Sequence, residues 1–326
     1  MRIVVFGVGA IGGWLAAGLA RGGQDVALLA RGATLAALRQ DGLVLVEGER
    51  VECFRLQASD DPAELEGPDI LLLAVKAHLL PELLPAIRKI ARPHTLILPA
   101  VNGIPWWFFQ QFGGPSEGLV LQSVDPGGAL AASFPAERVI GCVVHGASRI
   151  EAPGRIRLVK ADRLLLGAAA RAEPPALAAL CDTFRAGGIP TQQVANIRAE
   201  AWAKLWGNSN MNPLSVLARA DAAQLLDDAG VRGLVLAMMR EMAALGERIG
   251  LPLAGDPEER VAVTRRLGAF RTSMLQDLEA GRSLELAPIL GVLVELAARL
   301  GVEAPTLAGV HGLTRLLARN LGLAQD

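Results

Sequence analysis

The opening stretch, M-R-I-V-V-F-G-V-G-A-I-G-G-W-L-A-A-G-L-A-R-G-G-Q-D-V-A-L-L-A-R, constrains the chain more than any other. Residues 2–7, R-I-V-V-F-G, read as a buried strand, and D-V-A-L-L-A-R as a second. Between them an apolar helix runs from about Ala10 to Arg21, and Gly22-Gly23 stop it. The turn that joins strand to helix places Gly7, Gly9 and Gly12 in the G-x-G-x-x-G positions. The first glycine allows the tight turn, the second lets a pyrophosphate approach the backbone, and the third lets helix and strand pack closely. The helix N-terminus then offers free N–H groups and the positive end of its dipole to phosphate. A strand–helix–strand unit of this kind implies a parallel sheet and a dinucleotide. The second strand ends in L-L-A-R-G, with Arg31 where an acid would hold a ribose 2′-hydroxyl. An arginine suits a 2′-phosphate, so the expected cofactor is NADP(H); a plain surface arginine is the bland alternative.

Composition narrows the class further. The chain has 326 residues and a formal net charge of −1, which gives no electrostatic footprint for nucleic acid. It has no run of about 18 uncharged apolar residues, so no membrane span is expected. The N-terminal apolar run lacks a cleavage site and leads straight into the glycine motif, so it is not read as a signal peptide. Cys53, Cys142 and Cys181 are few and scattered, as are His78, His94, His145 and His311, which points to a cytoplasmic setting without disulfides or a metal cluster. There is no tyrosine, so no phenol can serve as proton donor. Of 32 basic residues only Lys76, Lys89, Lys160 and Lys204 are lysines. Lysine can give up its proton where arginine cannot, which makes each of the four worth weighing.

Beyond the first unit, L-V-L-V-E-G and R-V-E-C-F-R-L read as a hairpin. D-I-L-L-L-A-V-K-A (69–77) and T-L-I-L-P-A-V-N-G (95–103) read as further parallel strands. Lys76 and Asn102 fall at the carboxyl ends of these strands, where open α/β sheets bind ligands; ordinary loop polarity is the alternative. Strand-like runs follow at 118–124, 138–148, 155–159 and 163–167, then an Ala-rich helix near 174–186. From Asn196 onward the periodicity is almost wholly helical. The expected fold class is therefore α/β: a Rossmann-type dinucleotide-binding domain over residues 1–195, followed by an all-α domain over 196–326. The active site is expected in the cleft between them.

The start of the helical part carries a polar strip. Asn196, Glu200, Lys204, Asn208 and Asn212 recur every four residues, which keeps neighbours on one helix face with a drift of about 40° per step. Asn210 lies off that face. A solvated face is the bland reading, and a buried structural network the other. Yet this chain paves its helix surfaces with Arg and Glu, and asparagine costs helix stability. Asparagine is useful where a ligand needs a donor and an acceptor together, and lysine where a proton is delivered.

The block N-I-R-A-E-A-W-A-K-L-W-G-N-S-N-M-N-P-L-S resembles the signature helix of the ketopantoate reductases (2-dehydropantoate 2-reductases). The resemblance extends over nearly the whole chain, through G-V-G-A-I-G, L-A-V-K-A, V-N-G, S-M-L-Q-D (273–277) and S-L-E-L (283–286). It implies NADPH-dependent reduction of a 2-oxo acid to a 2-hydroxy acid, ketopantoate to pantoate in pantothenate biosynthesis. Lys204 would be the general acid and Glu285 would complete the catalytic set. Asn208, Asn212 and Ser273 would hold the substrate, and Asn102 would lie at nicotinamide and substrate. Gly7, Gly9, Ala10, Ile11, Gly12, Arg31 and Lys76 would take the cofactor. Read without the resemblance, Ser273 fits a capping box with Gln276, and Glu285 a first-turn acid favoured by the helix dipole. Two positions depart from the family pattern: Phe270 and Leu290 stand where it often has asparagine. With Trp106 and Trp107 beside Asn102, they suggest a more apolar pocket. An unpartnered substrate hydroxyl there would cost about 1–3 kcal/mol. A reductase of a bulkier or aromatic 2-oxo acid, of the mandelate type, is therefore the nearest rival. A non-catalytic dinucleotide sensor is a second, and a histidine-based dehydrogenase using His145 a third. The partner is expected to be a small 2-oxo acid; a homodimer is allowed.

Overall fold

The computed structural model describes residues 1–324, which form two compact units. The first comprises Met1–Val101, Trp107–Gln111 and Ala129–Glu200; the second comprises Asn102–Trp106, Phe112–Gly128 and the chain from Ala201 onward.

In the first unit the opening motif folds as β1 (Arg2–Phe6), α1 (Ala10–Arg21) and β2 (Asp25–Leu29). Next come α2 (Gly32–Asp41), β3 (Leu43–Glu47), β4 (Arg50–Phe54), β5 (Gln57–Ser59), β6 (Ile70–Leu73), α3 (Leu80–Ile90) and β7 (Leu96–Pro99). β5-β2-β1-β6-β7 is the strand order of a parallel sheet. Its central strands are buried on both faces (Ile3–Val5 and Ile70–Leu73 are fully buried), which is why they read as unbroken apolar runs.

A second sheet uses the β3–β4 hairpin. α4 (Ala129–Ser133) leads to β8 (Ile140–Ala152) and β9 (Arg155–Ala168), then α5 (Leu177–Ala186) and β10 (Thr191–Gln193). β9 runs antiparallel to β8, parallel to β3 in its first half and parallel to β10 in its second. The runs at 155–159 and 163–167 are thus one long strand. α1 has company on several sides: a Cβ at Gly13 would come 2.6 Å from Ile156 of β9, and one at Gly18 would come 2.3 Å from Ile189. Residues Gly12–Leu19 are all buried, so the helix is apolar all round.

α6 (Ile197–Ala218) runs from the first unit into the second. The second unit adds α7 (Ala222–Asp227), α8 (Ala229–Ile249), α9 (Pro257–Arg266), α10 (Ser273–Glu279), a π-turn at Ala287–Gly291, α11 (Val292–Leu300) and α12 (Pro305–Asn320). Asp221, Asp228, Asp256 and Thr272 cap the N-termini of α7 to α10, and Gly250 and Gly301 end α8 and α11 in the left-handed region. The run at 118–124 is not a strand but a series of turns. Its backbone N–H groups at Gln122 and Ser123 go to the Glu295 carboxylate of α11 (2.8 Å each), not to a sheet neighbour. Among the described residues no helix is long and apolar enough to cross a membrane.

Candidate active site

The first unit supplies a phosphate-shaped turn. Gly7 has φ +98°, and a Cβ there would meet Val75 at 2.7 Å; a Cβ at Gly12 would meet the Gly7 carbonyl at 1.9 Å. Both positions exclude a side chain. A Cβ at Gly9 meets nothing within 4 Å, so this N-cap of α1 faces open space, and the first helical turn holds no acid. Ala10 and Ile11 open the helix, whose first N–H groups have no intrahelical acceptors. This geometry fits a pyrophosphate. Phe6 is in register with Leu29 and with Leu73, so the chain leaves β1, β2 and β6 along one sheet edge. Arg31 follows β2 there; it is exposed and in no ion pair among the described residues. Lys76 follows β6, half-buried at the start of a 3₁₀ turn.

α6 carries the polar strip, with Lys204, Asn208 and Asn212 in the second unit. Asn196 begins α6 as its cap, its Oδ1 accepting from Ala199 N at 3.1 Å. Trp202 and Trp206 are buried, and Trp206 Nε1 donates to Met239 O at 2.9 Å. Asn210 is buried, with Nδ2 donating to Trp206 O at 2.6 Å, so the asparagine off the strip is structural.

Lys204, half-buried, donates from Nζ to Asn102 Oδ1 at 2.9 Å. Asn102 Nδ2 in turn lies 3.4 Å from Glu285 Oε2. Ammonium, amide and carboxylate therefore form one chain, with the amide offering its acceptor to the cation and its donor to the anion. What places Asn102 is the next residue. Gly103 has φ +86°, and a Cβ there would lie 2.0 Å from the Pro288 carbonyl, which also accepts Ile104 N at 3.1 Å. Pro288 belongs to the π-turn that begins two residues after Glu285. The π-turn thus seats the Asn102 segment beside Glu285. The sequence reading missed Pro288 and the π-turn; the glycine of V-N-G was the one signal of a close approach.

Asn208 is half-buried one turn beyond Lys204. A turn further, Asn212 is buried (4% exposed), and its Nδ2 has no hydrogen-bond partner. A buried amide donor left open is where an acceptor from a ligand fits. Ser273 is exposed at the first position of α10. It is not the cap: Thr272 Oγ1 accepts from Leu275 N at 3.1 Å and shares a 2.6 Å hydrogen bond with Ser215 Oγ. The capping-box alternative for Ser273 therefore falls. No hydrogen bond joins Ser273 to the Lys204 chain among the described residues.

The apolar-pocket argument changes in part. Leu290 is fully buried inside the π-turn. Trp107 is buried beneath the Arg198 guanidinium (5.6 Å to the ring centre) and beside Gly141, so core packing accounts for it. Arg198 also donates to the carbonyls of Phe108, Gln110 and Ala169, and burial lowers its pKa to about 10. Phe270 remains half-buried beside the α10 cap. His145 sits within β8 opposite Arg163.

A dinucleotide turn, together with a helical lysine linked through a loop amide to a carboxylate, fits an oxidoreductase acting on a CH–OH group. The family model described as ketopantoate reductase PanE/ApbA matches residues 3–106, and its C-terminal counterpart matches residues 196–318. A 2-dehydropantoate 2-reductase of Mesorhizobium japonicum is 38% identical over 323 residues, 99% of each chain. A solved candidate ketopantoate reductase from Ralstonia solanacearum MolK2 is 41% identical over 99% of each chain, with a TM-score of 0.93. A D-mandelate dehydrogenase solved with NADH and anilino(oxo)acetate shares the fold at 21% identity, with a TM-score of 0.83 over 99% of this chain. The chain belongs to the ketopantoate reductase family.

Proposed function

We propose that the protein reduces a 2-oxo acid with NADPH, with ketopantoate as its substrate and pantoate, a pantothenate precursor, as product. The observation that carries the reading is the Lys204–Asn102–Glu285 chain. Lys204 hydrogen-bonds the substrate carbonyl oxygen and then donates its proton to the alkoxide. Glu285, acting through Asn102, favours the charged lysine that this step requires. Asn208 and the open amide of Asn212 hold the polar groups of the substrate, and the Ser273 hydroxyl, outside the helix cap, takes its carboxylate. The turn at Gly7, Gly9, Ala10, Ile11 and Gly12 would hold the pyrophosphate, Arg31 the 2′-phosphate, and Lys76 and Asn102 the remainder of NADPH. When bound, NADPH supplies the hydride to the carbonyl carbon.

The test is NADPH oxidation with ketopantoate and with branched and aromatic 2-oxo acids. Ketopantoate should give the highest kcat/KM. Phe270 favours one second reading, a bulkier or aromatic acid, and a clear preference for such an acid would replace ketopantoate without touching the reaction class. Lys204→Ala should lower kcat by about 10²–10⁴, the usual worth of a general acid, while NADPH still binds. Near-normal turnover in that variant would end the general-acid assignment.

A further inference from the structure

Asn212 and Ser273 stand on different helices, α6 and α10, and a buried pair of hydroxyls joins those helices beside them. Ser215, three residues beyond Asn212 on α6, is fully buried, and Thr272, directly before Ser273, is 5% exposed. Ser215 Oγ donates to Asn212 O at 2.7 Å and lies 2.6 Å from Thr272 Oγ1. A serine hydroxyl has one proton. That of Ser215 goes to Asn212 O, so Thr272 is the donor between the two hydroxyls. Thr272 Oγ1 in turn accepts from Leu275 N at 3.1 Å. All three bonds point one way, from the first turn of α10 through Thr272 and Ser215 to the backbone of Asn212.

Capping alone does not call for this arrangement. Thr272 caps α10 through Leu275 N, and that bond needs no partner on α6. Two hydroxyls in a core are costly unless both are bonded, and an apolar pair of the same shape would pack without that cost. What the pair adds is direction, because it is satisfied in one arrangement of the two helices. Asn212 has particular need of such an anchor. Pro213 follows it inside α6, contributes no N–H and crowds the carbonyl four residues back, so the helix forgoes a backbone bond beside the open Asn212 amide. We infer that Ser215 and Thr272 are positioning residues, which set the separation of the Asn212 amide from the Ser273 hydroxyl and so the size of 2-oxo acid that the site grips. The inference rests on the proposed function, in which those two groups hold the substrate. The relay shares no atom with the Lys204–Asn102–Glu285 chain. Its loss should therefore weaken ground state and transition state alike, which raises KM and spares kcat.

Steady-state kinetics at saturating NADPH, with the 2-oxo acid that the parent chain reduces best, reads this directly. Thr272→Val keeps the shape and removes the hydroxyl; it should raise KM about tenfold, with kcat within about twofold and NADPH affinity unchanged. Ser215→Ala leaves the cap of α10 in place and should raise KM in the same way, so it decides the matter if Thr272→Val does not fold. Thr272→Ser should keep the parent KM. Ser273→Ala should raise KM in the parent chain and add little in Ser215→Ala, where the Ser273 hydroxyl is already out of place. An active parent chain whose KM is unchanged in Ser215→Ala overturns this inference alone, as do fully additive effects of Ser215→Ala and Ser273→Ala. A parent chain that binds NADPH and reduces no 2-oxo acid overturns the proposed function, and this inference with it.

Discussion

At the scale of single residues, the site turns on one amide and the glycine after it. Asn102 is useful because its two ends differ: it accepts from Lys204 and faces Glu285 with its donor. Its position depends on Gly103, which is in the left-handed region and has no room for a methyl group against Pro288 O. Gly103→Ala therefore combines backbone strain of about 1–3 kcal/mol with a clash of the new methyl group against the Pro288 carbonyl. We expect a lower urea midpoint together with a fall in kcat that exceeds any change in NADPH affinity. Equal activity in the folded variant would mean that the Asn102 segment has another anchor. The sequence makes Lys204, Asn208 and Asn212 legible because helical spacing is local. It does not distinguish Ser273 from Thr272 as the cap of α10, because Thr272 is selected by Ser215, more than fifty residues away along the chain.

At the scale of elements, the π-turn and α11 link the site to the helices behind it. α11 offers Glu295 to the turn segment, and α12 offers His311 to the back of the π-turn, 3.1 Å from where a Cβ of Gly291 would lie. Burial, with the Arg315 charge adding to it, pushes the His311 pKa below its ordinary 6.5. Burial opposes ionisation of Glu295, but the Ser123 hydroxyl, the N–H groups of Gln122 and Ser123, and Arg299 more than offset it, so its pKa lies below the ordinary 4.5. In both cases the unfolded chain binds more protons than the folded one as pH falls, so stability rises with pH. Stability should begin to fall below about pH 6.5 through His311 and fall further below about pH 4.5 through Glu295. Urea unfolding at several pH values reads both limbs: His311→Gln should flatten the first and Glu295→Gln the second. If Glu295→Gln leaves the acid limb unchanged, the loop contact carries no net stability. These elements also mark where sequence reading stops. β1, α1, β2, β6 and β7 announce themselves because apolar runs buried on both faces leave a continuous signature. The run at 118–124 has the same composition but is held by a carboxylate from α11, which no local pattern encodes. The π-turn likewise carries no periodicity of its own.

At the scale of the whole molecule, charge is spent in two ways. Many arginines sit in surface ion pairs, such as Arg265–Asp227 (2.6 Å) and Arg271–Glu279 (3.0 Å), which contribute little individually. Arg31 is exposed at the end of β2 and makes no such pair among the described residues. Under the proposed function this open arginine takes the 2′-phosphate, the group that distinguishes NADPH from NADH. A ligand that binds only the folded chain stabilises it by RT ln(1 + [L]/Kd), about 2.7 kcal/mol at one hundred times Kd. Charged hydrogen bonds are worth about 1.5–3 kcal/mol, so removing this one should cost NADPH roughly tenfold to a hundredfold in affinity. Arg31→Ala should therefore lose most of the thermal stabilisation conferred by a fixed NADPH concentration. NADH, which lacks the phosphate, should stabilise the variant and the parent chain alike. Titration calorimetry with both cofactors measures the same difference at one temperature, free of any assumption that two units melt together. If Arg31→Ala weakens NADH as much as NADPH, Arg31 contacts the shared part of the dinucleotide, and the preference for NADP(H) must come from a different residue.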